Sequence, residues 1–339
     1  MTSRSDRWLG TALILAAASS WGTWSYWLRP TELPSEVTTP LVFLVIALGS
    51  WPLARREGTP KWSKHALALL VAFGISDAIN VATFFGAMQV TTVAVAVLTH
   101  YAAPVLIALL APTIDGVSVP RAKPAALLAL AGLTVVLEPW RELEGNVVLG
   151  AGLGFVSACA YACNVFLARR LTESIGSSRT LGLHALLAAL LLLPFAGSGF
   201  SAIEVRDLPY LAIGCLVPGF LAGLAFLRAL TLVGSARASI LAFVEPLVAC
   251  VVGWLAFGES LGWTVLVGAA LVVAAGDGRR AERRGLSRRQ APGRRGVRDS
   301  RAASRPRATM GRRTPPGPAR TAARCAASAG VYRGRSPAA

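Results

Sequence analysis

Charged side chains are scarce in this chain: 15% of the 339 residues are charged against 54% hydrophobic, a balance too apolar for two soluble domains. What charge there is lies unevenly. The segment Asp277–Ala339 holds 18 Arg and no Lys against three acids, Asp277, Glu282 and Asp299, which leaves 16 basic and 14 acidic residues before it. Fifteen of the seventeen net positive charges therefore belong to a tail without the apolar content for a core. A soluble nucleic-acid-binding domain is excluded on that ground, and no nucleic acid is expected as a partner. Cysteine is too sparse and too apolar in setting for a disulfide framework or a zinc knuckle: Cys159, Cys163, Cys215 and Cys250 all lie inside hydrophobic runs and read as small core residues. Nor is there a Walker loop, an HExxH pair, a nucleophile elbow or a His/Cys cluster, so ATP, a metal and any other cofactor are not expected, and the chain does not read as an enzyme. Gly150, Gly152 and Gly154 imitate part of a dinucleotide fingerprint, yet an apolar helix surrounds them and no strand precedes them.

What is present is a succession of apolar runs. A hydrocarbon core about 30 Å thick needs roughly 20 apolar helical residues. Ten runs approach that length: 9–28, 37–54, 65–87, 91–111, 123–137, 147–168, 181–195, 209–230, 236–257 and 262–276. The first follows Arg4 and Arg7 like a signal peptide, but no small-residue cleavage site precedes Trp21–Trp27, and it is read as a retained helix. The fold class expected is an all-α polytopic membrane protein. Lys and Arg bias short loops toward the cytoplasm. With the N-terminus inside, thirteen such residues fall on the cytoplasmic side, including Arg55, Arg56, Lys61, Lys64, Arg169, Arg170 and Arg179. Only Arg29, Arg141 and Arg206 fall outside, so both termini are expected in the cytoplasm of a plasma-membrane protein.

The chain also repeats itself weakly. At an offset of 142, Phe84 matches Phe226 and Pro104 matches Pro246; at 140, Trp21 matches Tyr161 and Arg29 matches Arg169. Two halves of five helices would enter the membrane from opposite sides, an inverted repeat suited to alternating access. The stretches FFGAMQVTTVAVAVLTHYAAPVLIALLAP at 84–112 and FLRALTLVGSARASILAFVEPLVACVVGWLAFGESLGWTVLVGAALVVAAG at 226–276 resemble the two repeats of EamA-type drug/metabolite transporters of the DMT superfamily. The resemblance covers residues 8–276. It implies a ten-helix secondary carrier of a small organic metabolite or drug-like solute, often an exporter, with residues 1–140 and 141–276 as its repeats and 277–339 as a disordered tail. Thr113–Pro120 departs from the GE-containing turn of the family, and the tail is longer than usual.

Ionisable groups at span centres cost about 2.5–3.5 kcal/mol each on insertion scales and invite a function. Asp77 with Asn80, His100 with Tyr101, and Glu245 with Pro246 are such groups. Asp77 and His100 are read as candidates for proton coupling and, with Asn80 and Tyr101, for solute binding. Glu245 has two readings, coupling or a carboxyl that ties neighbouring helices together. Pro104 and Pro246 are expected to bend their helices and free the carbonyls of His100 and Ala242 beside a central cavity. Trp21 and Trp24, with Tyr161 and Asn164 at the matching place in the second half, supply aromatic area and polar handles; belts of interfacial Trp are the competing reading. His184 reads as interfacial, and Gly150/Gly154 and Gly219/Gly223 as close helix approaches. Arg228 and Arg237 bracket a cytoplasmic turn and read as topology determinants, with attraction of an anionic solute as the alternative. The partners expected are a small-molecule solute and the bilayer, with homodimerisation left open. The tail has two readings: an extension that clings to anionic headgroups, or a shifted reading frame.

Two experiments check this reading. Reporter fusions at Gly58 and Arg141 should report opposite sides of the membrane; the same side for both would break the span count. A chain ending at Gly278 should insert, keep its thermal stability in detergent and transport at an unchanged rate.

Overall fold

The computed structural model describes residues 3–116, 119, 121–141, 145–260 and 262–276. The tail from Asp277 and most of the segment Val117–Pro120 lie outside the described residues, and with them the sequence readings placed there. The described residues are helical almost throughout, with one isolated antiparallel bridge between Thr91 and Gly145.

In chain order the helices are α1 (Arg4–Trp21), α2 (Trp24–Leu28), α3 (Ser35–Arg56), α4 (Lys64–Val90), α5 (Val93–His100), α6 (Ala103–Ile114), α7 (Ala122–Leu137), α8 (Val147–Ile175), α9 (Ser177–Ala196), α10 (Leu208–Gly214), α11 (Ala222–Val233), α12 (Ser235–Leu241), α13 (Val244–Phe257) and α14 (Trp263–Gly276). A π-helical stretch, Cys215–Leu221, joins α10 to α11 around Pro218, whose missing N–H cannot sustain the α-helical ladder. Among the described residues, seven helices or runs of consecutive helices are long and apolar enough to cross a membrane, and α7 and α14 are shorter apolar helices.

Local chemistry sets where these helices start. Ser63, Thr92 and Asn146 accept from backbone N–H groups three residues on and cap α4, α5 and α8. The start of α9 is capped from elsewhere: Glu57, just past α3, accepts from the N–H of Ser178 at 2.7 Å and of Arg179 at 3.3 Å. A carboxylate there also suits the positive end of the helix dipole.

The prolines act differently from the expectation. Neither Pro104 nor Pro246 bends a continuous helix. Each chain turns one step earlier, at Tyr101–Ala102 and at Ala242–Phe243, and the proline sits in the first turn of the following helix, α6 or α13. A first-turn residue has no intrahelical N–H bond to lose, so proline fits there without strain. The carbonyl of Ala242 is accordingly not left free, because it accepts from the N–H of Glu245 at 2.9 Å. A similar break at Gly22–Thr23 separates α1 from α2.

Helix contacts follow small residues. α4 packs on α8 and α9, α3 on α9, α1 on α11, α5 on α8, and α7 on α14. A Cβ at Gly22 would stand 2.6 Å from the carbonyl oxygen of Glu245, so α1 reaches the backbone of α13 only because that residue is glycine. Gly132 and Gly268 face each other reciprocally, each presenting its carbonyl oxygen to the place where the other's Cβ would be. Gly150 and Gly154 lie against Thr91 and Thr99, as the four-residue spacing anticipates.

Contacts between loops respect the two ends of the bundle. Lys61 and Ser174 bond each other, Glu57 pairs with Arg179, and Asp115 holds Arg169 at 2.7 Å at one end. Arg29 meets Glu259 at 2.7 Å and Glu36 accepts from Gln89 at 2.8 Å at the other.

Gly150→Ala should destabilise the fold by about 1–3 kcal/mol, because the added methyl would stand 2.5 Å from Thr91 Cβ. Gly152→Ala on the same helix has nothing within 4 Å and should leave stability unchanged or raise it. Thermal unfolding in detergent distinguishes the two; equal midpoints would contradict the close approach of α8 to Thr91.

Candidate functional site

The polar residues of the apolar helices converge. Asp77 and Asn80 lie three apart on α4, hence on one face, and Ser157, Tyr161 and Asn164 form a face of α8 at spacings of four and three. Because α4 packs along α8, those two faces meet. Asn164 Nδ2 donates to Asp77 Oδ1 at 2.8 Å, and Asn80 Nδ2 approaches the same oxygen at 3.4 Å. Ser157 Oγ lies 2.9 Å from the carbonyl oxygen of Asn80 and 2.8 Å from its Oδ1. On its other side the same hydroxyl meets His100 Nδ1 at 2.8 Å, at the last residue of α5. A polar side chain inside an apolar bundle needs partners of this kind, and Asp77 obtains its shortest one from Asn164.

The other carboxylate oxygen has a partner that the sequence reading did not assign. Asp77 Oδ2 lies 3.3 Å from His184 Nε2 on α9. His184 is 5% exposed, its ring is stacked on Phe73 at 4.0 Å and Phe43 approaches it edge-on, so it is a core residue and not an interfacial one. The misreading has a physical origin. The cap supplied by Glu57 starts α9 at Ser177, four residues before the apolar run at Leu181, and this carries His184 two turns into the helix.

Around His100 the site becomes aromatic. Its ring lies 4.7 Å from that of Phe84, 5.4 Å from Tyr161 and 5.6 Å from Tyr101. Tyr101 stands at the break between α5 and α6, stacks obliquely on Phe243 at the break between α12 and α13, and interacts through its hydroxyl with the carboxyl of Glu245. Tyr161 lies within electrostatic range of both Glu245 and Asp77. Glu245 on α13 thus reaches Tyr101 at the end of α5. Asn164 Oδ1 is buried without a hydrogen-bond partner among the described residues.

Two expected members stand apart from this cluster. The ring of Trp21 packs on Phe226 at 5.0 Å, and Trp24 reaches Gly219. Pro104 and Pro246 are buried at the starts of α6 and α13, next to the breaks that carry Tyr101 and Glu245. Sequence reasoning missed Ser157 and His184. Ser157 was legible in its spacing to Tyr161 and Asn164, whereas nothing in the sequence pairs His184 with Asp77. No group of three His, Cys, Asp or Glu among the described residues is arranged to hold a metal ion.

An intramembrane hydrogen-bonded chain inside a bundle of apolar helices suits a protein that moves something across the bilayer, and the comparisons with known proteins agree. Residues 148–275 match the EamA-like transporter family. A transporter of Archaeoglobus fulgidus, described as uncharacterized, is 30% identical over 272 residues, spanning 78% of this chain and 94% of the relative. A protein of known crystal structure superposes with a TM-score of 0.65 at 19% identity over 81% of this chain and 98% of that one, which is a likeness of fold. This chain belongs to the EamA-like transporter family and is a multi-pass membrane protein.

Proposed function

We propose that the protein is a secondary carrier of the plasma membrane that exports a small organic metabolite or drug-like solute by alternating access, with proton coupling or exchange as its energy source. Both termini are cytoplasmic in this reading. The observation that carries it is the chain His100–Ser157–Asn80–Asp77–His184, which places two titratable rings and a carboxylate inside an apolar bundle.

The reading includes ten spans arranged as an inverted repeat of five. Its support is the pattern of helix contacts. Counting α1–α2, α3, α4, α5–α6 and α7 as the first five spans and α8, α9, α10–α11, α12–α13 and α14 as the next five, exchange of the halves turns the α4–α8 contact into α11–α1. The same exchange turns the contact of α5 with α8 into that of α12 and α13 with α1, and leaves α3–α9, α6–α12 and α7–α14 in place. The breaks at Tyr101–Ala102 and Ala242–Phe243 also fall within one residue of matching positions at the offset of 142, and Gly132 and Gly268 meet reciprocally, as groups beside a pseudo-twofold axis would. Pseudo-symmetric halves that exchange conformations interconvert inward-open and outward-open states.

Reconstituted protein screened against metabolite pools should move a defined solute, identified by mass spectrometry of the vesicle contents. For that solute, Asp77→Asn should lower accumulation driven by a pH gradient about tenfold or more, the loss expected of a group worth at least about 1.4 kcal/mol. An Asp77→Asn protein that accumulates solute like the parent chain under the same gradient would eliminate Asp77 from coupling. A correctly inserted parent chain that moves nothing from any pool would eliminate the carrier reading.

A further inference from the structure

We infer that two ion pairs, Arg169–Asp115 at one end of the bundle and Arg29–Glu259 at the other, are equivalent locks that close the two mouths of the carrier in turn, with Arg169–Asp115 the tighter of the two. The inference rests on the carrier reading and its exchange of halves, in which the Arg169–Asp115 end faces the cytoplasm.

The two pairs are built alike. Each takes an arginine that follows the first apolar run of its half, Arg29 after 9–28 and Arg169 after 147–168, and these are the arginines that match at an offset of 140. Each takes its acid from just past the fourth span of the other half: Asp115 directly follows α6, and Glu259 comes two residues after α13. The acids stand 144 residues apart, within two residues of the offset at which Pro104 matches Pro246. Both pairs close at 2.7 Å. Exchange of the halves therefore turns one pair into the other and carries it to the opposite end. The other arginine–acid pairs among the described residues lack this form. Arg141 with Glu138, Arg169 with Glu173, and Arg206 with Glu204 and Asp207 are local in sequence, and Glu57–Arg179 ties the unbroken α3 to the unbroken α9.

The locks sit on the parts of the bundle that can pivot. Arg29 follows α2, which is separated from α1 at Gly22–Thr23; Asp115 ends α6, beyond the break at Tyr101–Ala102; Glu259 follows α13, beyond the break at Ala242–Phe243. The 12 residues of α6 make a lever about 18 Å long, so a turn of about 10° at its break displaces Asp115 by about 3 Å, enough to part it from Arg169. Such pivoting leaves α4, α5, α8 and α9 in place. Glu245, in the first turn of α13, stays beside its pivot.

The surroundings of the two locks differ. The side chains of Asp115 and Arg169 are 4% and 19% exposed, and Arg170 donates to the carbonyl oxygen of Ile114 at 2.7 Å beside them. Those of Arg29 and Glu259 are 59% and 56% exposed, with the guanidinium over the ring of Phe257. A solvated pair is held weakly, whereas parting a buried one strands a charge that water does not readily reach. Both partners of the exposed lock also ride on pivoting pieces, while Arg169 belongs to the continuous α8. The mouth at Arg29–Glu259 is thus the one that opens in the resting carrier.

Hydrogen–deuterium exchange of the full chain in lipid nanodiscs reads both mouths without any solute. Locks on one alternating device must answer each other. Asp115→Asn should raise exchange over residues 109–115 and lower it over 253–259, each by at least about twofold, and Glu259→Arg, which sets two cations against each other, should do the reverse. Adding Arg29→Glu to Glu259→Arg should restore about half or more of the change at both ends. If Asp115→Asn does not insert, Glu259→Arg and its restoration decide alone. Changes confined to the substituted end, a rise at both ends, no change, or no restoration would overturn the inference. A carrier that moves nothing from the metabolite pools and locks that do not answer each other are separate failures, because solute movement is read in the one experiment and backbone exchange in the other.

Discussion

A carboxyl group in the apolar interior of a helical bundle must have its partners supplied by other helices, and the centre of this protein is organised by that requirement at Asp77. Four helices bring side chains to it directly or through one or two intermediates: α4 with Asn80, α8 with Asn164 and Ser157, α9 with His184, and α5 with His100. Their mutual packing is not free to slide. A displacement that spoils any one of those bonds leaves a polar group unsatisfied where neither lipid nor packed side chains can replace it.

Small residues make the convergence feasible. Gly150 and Gly154 let α8 approach the region of Thr91–Thr99 closely enough for Ser157 to touch both Asn80 and His100, and Gly22 lets α1 lie against the backbone at Glu245. The glycines and the polar chain are thus two halves of one device. Close backbones shorten the span that a serine or asparagine side chain has to bridge, and the bridges then hold the backbones together.

Much of this was legible in the amino-acid order. The apolar runs coincide with the observed helices to within a few residues at most ends, because hydrophobic length is a strong signal when the solvent is a bilayer. Asp77, Asn80, His100, Tyr161, Asn164 and Glu245 stood out as polar groups in apolar runs and are the residues that come together. What stayed hidden was set at a distance in sequence. Glu57 caps a helix that begins 120 residues later, so the sequence offers no sign that α9 starts at Ser177 or that His184 is deep. The broken helices were hidden for a different reason: a proline marks where a backbone bond is lost, but not whether the chain bends there or ends one helix and starts another.

Asp77, Asn80 and His100 have no polar counterparts at the positions 142 residues on. Where the first half has Asp77 and Asn80, the matching positions at an offset of 142 are Gly219 and Ala222, and in that region the ring of Trp21 packs on Phe226. If the two halves descend from a duplicated ancestor, the frame has been kept while the side chains on its two flanks have diverged. The proposed energy supply and the apolar flank are then separable inheritances. Substitutions around Trp21, Trp24 and Phe226 would alter the apolar flank without touching a bond among Asp77, Asn80, Ser157 and His100, so in the carrier reading the cargo could change while the polar chain stays as it is.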